Sequence, residues 1–203
     1  LNNKLRILTF KLLKTKKMIK RSILSLVIIS LGIVSCTNNN KFMLDKGMVG
    51  EITTTTTVSD LDEIFKNDSI VKKLSEGALG DNYFQDDDTY LIYEKGGKHL
   101  LTIVPKEQLD STSTIKSIEI HDSRYNTKLG INLNSRFSEI NSNYAVRPET
   151  TLQSVTLFLD ELNATIAIDK EELGLRDFAM SQRVSLEQIP DLAKIKLFII
   201  WFH

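Results

Sequence analysis

Apolar and polar residues alternate with a period of two along several stretches of the chain, which is the pattern of half-buried β-strands. The clearest example is TYLIYEKGGKHLLTIVP, residues 89–105, whose Gly-Gly pair can take the positive φ angles of a two-residue hairpin turn. This register places Tyr93 opposite Leu100 and Ile92 opposite Leu101. The sequence therefore predicts an antiparallel hairpin here.

Four further stretches carry strand patterns. Residues 114–122 alternate isoleucine with polar residues, and residues 154–169 form a second hairpin. Residues 195–202 are apolar on both faces, so we expect this strand at the centre of a sheet and buried on both sides. A threonine-rich run at 49–60 favours strand but has no strongly apolar face, which is typical of an edge strand. The core candidates of the second hairpin are Val155, Leu157, Leu159, Ile166 and Ile168.

Three helices are predicted from capping residues that precede apolar positions at helical spacing. The first begins at Asp60, three residues before Glu63; the second spans 68–77; and the third begins at Asn134 or Ser135. With the strands they predict an antiparallel α+β domain of six or seven strands, with two or three helices on one face, after an N-terminal signal helix. The inward residues of the third helix are Phe137, Ile140 and Tyr144.

A different pattern, an unbroken apolar run, lies near the start of the chain. Ser22 to Ser35 is a stretch of fourteen residues without a charge, and it follows Lys20 and Arg21. A membrane-spanning helix needs about 20 apolar residues. A signal peptide needs only a basic start, about 7–15 apolar residues and small residues at the cut. Residues 1–35 are therefore predicted to include a signal peptide.

The apolar run ends in Ile33-Val34-Ser35-Cys36, and Cys36 is the one cysteine of the chain. This ending resembles the lipobox of bacterial lipoproteins. The resemblance implies that cleavage falls between Ser35 and Cys36 and that Cys36 carries a diacylglyceryl group and a further acyl chain such as palmitate. Each buried methylene of such a chain contributes about 0.8 kcal/mol to membrane binding. The alternative is an uncleaved anchor helix with Cys36 as an incidental free thiol.

Residues 1–17, LNNKLRILTFKLLKTKK, contain six basic residues and no acidic one. One interpretation is a basic amphipathic helix at a membrane surface. The other is a start assigned too early, with translation beginning at Met18. A first residue other than methionine favours the second interpretation.

The net charge of zero conceals an uneven distribution along the chain. Eight of the 26 Lys and Arg residues lie in residues 1–35, which contain no Asp or Glu, so residues 36–203 hold 18 basic residues against 26 acidic ones. An acidic domain repels phosphate backbones, which argues against nucleic-acid binding. We interpret the polar residues 36–47 as a lipidated tether and residues 48–203 as a single globular domain.

The stretch YNTKLGINLNSRFSEI, residues 125–140, resembles a segment of small periplasmic lipoprotein domains. In that family a strand enters a Gly-Ile turn, a Ser or Thr opens a helix, and a hairpin follows; most members have no assigned activity. A weaker similarity is to the small lipoprotein subunit of the outer-membrane β-barrel assembly machinery, which binds protein partners but differs in strand count and length. The matching positions are Gly130-Ile131, Ser135, Glu139-Ile140 and the hairpin at 154–169.

Three groups of residues have side chains of the types found in catalytic or metal sites, but they lack the spacing that such sites need. Asp86-Asp87-Asp88 lacks the alternating ligands, glycine and glutamate of a calcium loop, and is interpreted as a solvated loop that caps the next strand. His121-Asp122-Ser123 has the residue types of a hydrolytic triad, but adjacent strand residues point to opposite faces. His99, His121 and His203 lack paired ligand spacing. No catalytic residue, metal site or cofactor is predicted.

These features predict a lipid-anchored envelope lipoprotein on the periplasmic side of a bacterial membrane. Its domain is expected to be non-catalytic and to bind a protein or glycan partner. The alternative is a small-molecule-binding or enzymatic domain with a pocket between helix and sheet, or an accessory subunit of an outer-membrane assembly complex. A cavity lined by convergent polar groups would favour the alternative, whereas a filled core would favour the first function.

Overall fold

A computed structural model describes residues 40–74, 87–151, 153–174 and 183–202. Within these ranges twelve strands form two sheets, one of four strands in the order β3-β2-β1-β8 and one of eight in the order β4-β5-β6-β7-β12-β11-β10-β9. The strands are β1 Met43–Asp45, β2 Met48–Val49, β3 Ile52–Thr53, β4 Ser69–Lys73, β5 Thr89–Tyr93, β6 His99–Pro105, β7 Ile115–Ile120, β8 Asn126–Thr127, β9 Arg147–Thr150, β10 Ser154–Leu159, β11 Ala164–Asp169 and β12 Ile195–Trp201.

Helices contribute little to the described part of the chain. They are α1, Leu61–Ile64, and α2, Phe137–Asn143. The predicted α+β fold, with six or seven strands and two or three helices on one face, is therefore wrong, because the described fold is mostly β. Short 3-10 turns lie at Asn40–Phe42, Val58–Asp60, Lys170–Leu173 and Leu186–Gln188.

The predicted helix at 68–77 accounts for part of this error. Ser69–Lys73 instead forms β4, which pairs antiparallel with β5 along its whole length. The β-branched side chains of Ile70 and Val71 favour strand, and the hydrogen bonds to β5 outweigh the weak helical spacing. The end of the predicted helix, at Gly77, lies outside the described residues.

The four-stranded sheet was missed because its strands are only two or three residues long, too short to show an alternating pattern. Its first strand includes Leu44, whose side chain is fully buried. The tether predicted at 36–47 is therefore wrong for residues 40–47, which belong to the compact unit Asn40–His203. The edge strand expected in the threonine-rich run is confirmed only at Ile52–Thr53, because the next two threonines lie in a turn.

The other two predicted helices are confirmed as short helices. Asp60 is the N-cap of α1 as predicted, but its side chain makes no capping hydrogen bond there and accepts from the backbone N–H of Thr57 at 2.8 Å. A 3-10 turn, Val58–Asp60, comes directly before α1. In α2 the N-cap is Arg136, and the buried residues Phe137 and Ile140 face the core as predicted.

One hydrophobic cluster joins the two sheets and both helices. It includes Leu44 from the small sheet, Leu61 from α1 and Phe137 from α2, together with the inner face of the large sheet. All five core candidates of the second hairpin are fully buried, as predicted. The core therefore lies on one side of the eight-stranded sheet.

The C-terminal strand β12 lies between β7 and β11, so the predicted central position is confirmed. The prediction that both faces of β12 are buried is wrong. Phe198 and Ile200 are 0% exposed, whereas Ile199 and Trp201 on the other face are half-buried and lie outside the core cluster. The small sheet and the helices cover only one side, which explains the difference.

The first hairpin turns at the predicted glycines, but through a three-residue loop, residues 95–97, and with a shifted register at its end. Ile92 lies opposite Leu101 as predicted, but Tyr93 pairs with His99 rather than with Leu100, because a β-bulge follows Ile92. The turn glycines have φ angles of 110° and 87°. The bulge brings His99 beside Tyr93.

Candidate functional site: the open sheet face

The eight-stranded sheet has one face that the core covers and one that it leaves open, which we call the open face. Strand pairing aligns one residue of each strand in a row across this face, because paired residues on neighbouring strands point to the same side. Of these eight residues only Glu119 and Arg147 are charged. The row runs Val71, Leu91, Thr102, Glu119, Ile199, Thr165, Phe158 and Arg147.

Large apolar and aromatic side chains of the open face do not pack against the core. They come from five strands, and most of them are half-buried by their neighbours in the sheet. Glu119 is a charged residue of an inner strand, whereas Lys73 lies on the β4 edge and Arg147 and Glu149 lie on the β9 edge. The apolar and aromatic residues are Val71, Leu91, Tyr93, Val104, Phe158, Leu197, Ile199 and Trp201.

A hollow of ≈ 180 Å³ lies between Phe158 and Trp201, with Thr165 between them. The indole Nε1–H of Trp201 donates to the Thr165 hydroxyl at 3.1 Å, so the polar atom of the indole is satisfied within the sheet. The guanidinium of Arg147 lies 4.5 Å from the centre of the Phe158 ring. This end of the open face thus presents two aromatic side chains beside a cation.

Three aromatic rings stack at the other end of the open face. The ring centres of Tyr93 and His99 are 4.7 Å apart, and those of His99 and His121 are 3.9 Å apart with planes inclined by 18°. The Thr102 hydroxyl lies 3.3 Å from Nε2 of His99 and 2.9 Å from Nε2 of His121. Glu119 Oε1 is 3.6 Å from His121 Nε2. We call this group the ring stack.

The ring stack keeps its imidazoles neutral at neutral pH. Burial, and secondarily the neighbouring His99, lower the pKa of His121 to about 4. Burial also lowers the pKa of His99 and raises the pKa of Glu119. Each of these shifts disfavours the charged form of the group.

The two residues that follow His121 do not form a relay with it. Asp122 is fully buried and accepts hydrogen bonds from Arg124, and its carboxylate lies 3.0 Å from Lys98 Nζ. Burial alone would raise the pKa of Asp122, but these cations outweigh it and bring the pKa to about 2. Arg124 also donates two hydrogen bonds to Glu94, at 3.0 and 2.9 Å. Asp122 therefore has a structural role.

The acidic run is solvated at Asp87, as predicted, but not at Asp88. Asp88 is 1% exposed and accepts a 2.6 Å hydrogen bond from the backbone N–H of Leu109, so it fastens the loop between β6 and β7. Asp87 pairs with Lys116 at 3.0 Å. Asp86 lies outside the described residues. Within the described ranges no group of three or more His, Cys, Asp or Glu side chains could hold a metal ion.

A second hollow lies on the covered side of the molecule, between the small sheet and the segment after α1. Its volume is ≈ 130 Å³, and its lining includes Tyr125, Lys41 and Asp68. Lys41 Nζ and the Asp68 carboxylate face each other at 3.7 Å. Ligand pockets usually measure about 300–1,000 Å³. Both hollows are therefore small for a metabolite.

The ring stack was missed because the sequence shows its histidines as isolated residues 22 positions apart. The available signal was that one lies at the start of β6 and the other directly after β7, and antiparallel neighbours bring such ends together.

Three residues that were named from the sequence lie outside the described residues: Ser35, Cys36 and His203. The lipobox therefore stays a prediction. No described helix is long and apolar enough to cross a membrane.

No protein-family model and no curated protein matches the chain. Among solved structures, the chain is similar to the crystal structure of the uncharacterized protein yfeY from Escherichia coli. The two are 16% identical with a TM-score of 0.49, over 80% of this chain and 99% of that one. That name states no activity, and a likeness of this degree leaves the function to be inferred from the residues of this chain.

Proposed function

We propose that this protein is a lipid-anchored lipoprotein of the bacterial cell envelope, held on the periplasmic side by acyl chains on Cys36, and that its open face binds a protein partner. One observation carries the binding role: large apolar and aromatic side chains from five of the eight strands share a face that the core does not cover. Soluble proteins rarely leave large contiguous apolar patches without a binding function.

The distribution of charge on the open face supports a protein as the partner. Interfaces between proteins have an apolar, aromatic-rich centre that is poor in charge and a polar rim. Here Phe158, Trp201 and Tyr93 supply the aromatic side chains, and Lys73 and Arg147 lie at opposite edges. Arg147 and its stacked Phe158 combine two residue types found at hot spots and interface centres.

A catalytic or small-molecule role is less well supported. The two hollows described above are small. The carboxylate of Asp122 is buried and already accepts hydrogen bonds from Arg124. The ring stack lies on the open face and lines neither of these two hollows. A role as accessory subunit of an assembly complex would use the same open face and is one form of protein binding.

The proposed anchor places the domain close to the bilayer. The folded unit begins at Asn40, four residues after Cys36.

Crosslinking in native membranes tests the binding role. A lysine at position 199 would replace a large apolar side chain between Leu197 and Trp201 by a charged one, so Ile199→Lys should abolish a crosslinked protein adduct that the wild type forms. Glu63→Lys is the matched control, because Glu63 is 80% exposed on α1 and lies on the covered side. Thermal melting checks that both variants fold. Equal adducts from both variants would contradict the proposal, and an adduct removed by glycosidase would make the partner a glycan.

A further inference from the structure

The hydrogen bonds of the ring stack fix where its protons lie. The carbonyl oxygen of Leu101 lies 3.0 Å from His99 Nε2, and a carbonyl can only accept, so this nitrogen carries a hydrogen. His121 Nε2 lies 2.9 Å from the Thr102 hydroxyl. Thr102 also lies beside the N–H of His99, so its own hydrogen is best directed to His121. In this arrangement His121 accepts through a lone pair and is neutral.

A proton on His121 Nε2 removes that lone pair. The Thr102 hydroxyl would then have to turn and accept from the N–H of His121, which reverses this hydrogen bond. A positive ring would also lie against His99, whose centre is only 3.9 Å away. Protonation therefore forces the Thr102 hydroxyl to reorient and places a charge in a half-buried stack.

Few charges near the ring stack can compensate for this proton. Glu119 on β7 is the nearest carboxylate, at 3.6 Å, but burial raises its pKa, so it is itself less ionised in acid. From β4, Lys73 acts on His99 and disfavours its positive charge. From β5, the ring of Tyr93 stacks on His99 at 4.7 Å between ring centres. On the open face, β12 contributes the uncharged residues Leu197, Ile199 and Trp201.

We propose that the ring stack is an acid-sensitive latch on the open face, closed while both imidazoles are neutral and opened when His121 takes a proton. Opening separates the two imidazole rings and exposes Thr102 and Glu119. The consequence for partner binding rests on the proposed function, because the latch occupies the same face. The latch itself does not depend on any partner.

The size of the effect follows from the pKa shift. A pKa of about 4 instead of 6.5 means that the stacked His121 binds a proton about 300-fold less tightly than a free imidazole. Between pH 7 and pH 4 the balance therefore moves towards separated rings by about 100-fold. Above pH 7 the balance between closed and open latch does not change further, because His121 is already neutral in both states.

Nuclear magnetic resonance tests the latch directly, since the chain has three histidines and their ring signals can be assigned by substitution. We expect His121 to titrate well below pH 6, and cross-relaxation between the rings of His99 and His121 to fade over the same range. His121→Phe keeps a stacked ring that cannot be charged, so its contacts with His99 should not change with pH. Glu119→Gln should lower the pKa of His121 slightly.

Two results would overturn the latch: a His121 that titrates near 6.5, or wild-type rings that stay in contact after His121 is protonated. Circular dichroism distinguishes opening of the latch from unfolding of the whole domain. If the domain unfolds in acid, His121→Phe should unfold at lower pH than the wild type. Equal unfolding of the two proteins would also contradict the latch. These outcomes are independent of whether a partner binds.

Discussion

Two neighbouring isoleucines of β12 offer a matched test of the asymmetry between the two faces of the sheet. Ile200 points into the core, with Ala164 and Ile118 opposite it on the flanking strands, and is 0% exposed. Ile199 points to the open face and is half-buried. Changing each to alanine removes the same atoms from the same strand. Any loss of intrinsic strand preference is therefore similar in the two variants.

The expected costs differ because only one substitution leaves a cavity. Truncation of a fully buried isoleucine to alanine costs about 2–5 kcal/mol, from lost burial and the cavity left behind. At position 199 water can fill the space that the side chain leaves. Ile199 is only half-buried in the wild type, so its truncation loses less apolar burial, and we expect a loss of about 1 kcal/mol in the free energy of unfolding. Ile200→Ala should thus be less stable than Ile199→Ala by about 2 kcal/mol, a large part of a total of about 5–15 kcal/mol.

Urea unfolding measures both variants with the fluorescence of Trp201, the one tryptophan of the chain. Equal slopes would show that the midpoints report stability rather than a change in the unfolded state. The reasoning is refuted if Ile199→Ala costs as much as Ile200→Ala. That outcome would mean that the supposed open face is covered within the protein itself.

Three further outcomes are expected. Cys36→Ala should abolish labelling by radioactive fatty acid and leave unprocessed precursor, and continued labelling would exclude Cys36 as the lipidation site. Asp122→Asn should lower the free energy of unfolding by about 2 kcal/mol at pH 7, since the folded-state pKa of about 2 lies below the unfolded value. The difference in urea stability between wild type and variant should persist above pH 4 and shrink as pH falls towards 2. Gly50→Ala should be more destabilising in thermal melts than Gly97→Ala, because both have positive φ but only the added Cβ at position 50 would meet a backbone atom, the carbonyl oxygen of Lys41, at 2.5 Å.

The long strands could be predicted from sequence because their patterns are long enough to be unambiguous. Residues 154–169 alternate over two six-residue strands, and the five core positions follow from that period. The apolar run at 195–202 correctly predicted a central strand. Its prediction of burial on both faces was wrong, because a central strand can also lie in a two-layer fold whose core covers only one face of the sheet.

The remaining features depend on contacts that no local pattern records. Strands of two residues, such as Met48–Val49, show no period, so the small sheet and the ordered start at Met43 were hidden. The bulge after Ile92 shifts the register by one residue, and this shift brings His99 against Tyr93. The open face exists only when eight strands are aligned. Its residues are separated by as many as 130 positions, from Val71 to Trp201.

Site-specific photocrosslinking tests the central claim, that the open face is the interface, most directly. A photoreactive amino acid at Thr165 would lie between Phe158 and Trp201 on the open face, whereas one at Glu63 would lie on the covered side. In native membranes, irradiation should yield a protein adduct from position 165 and none from position 63. An adduct from position 63 alone, or no adduct from any open-face position, would contradict the account.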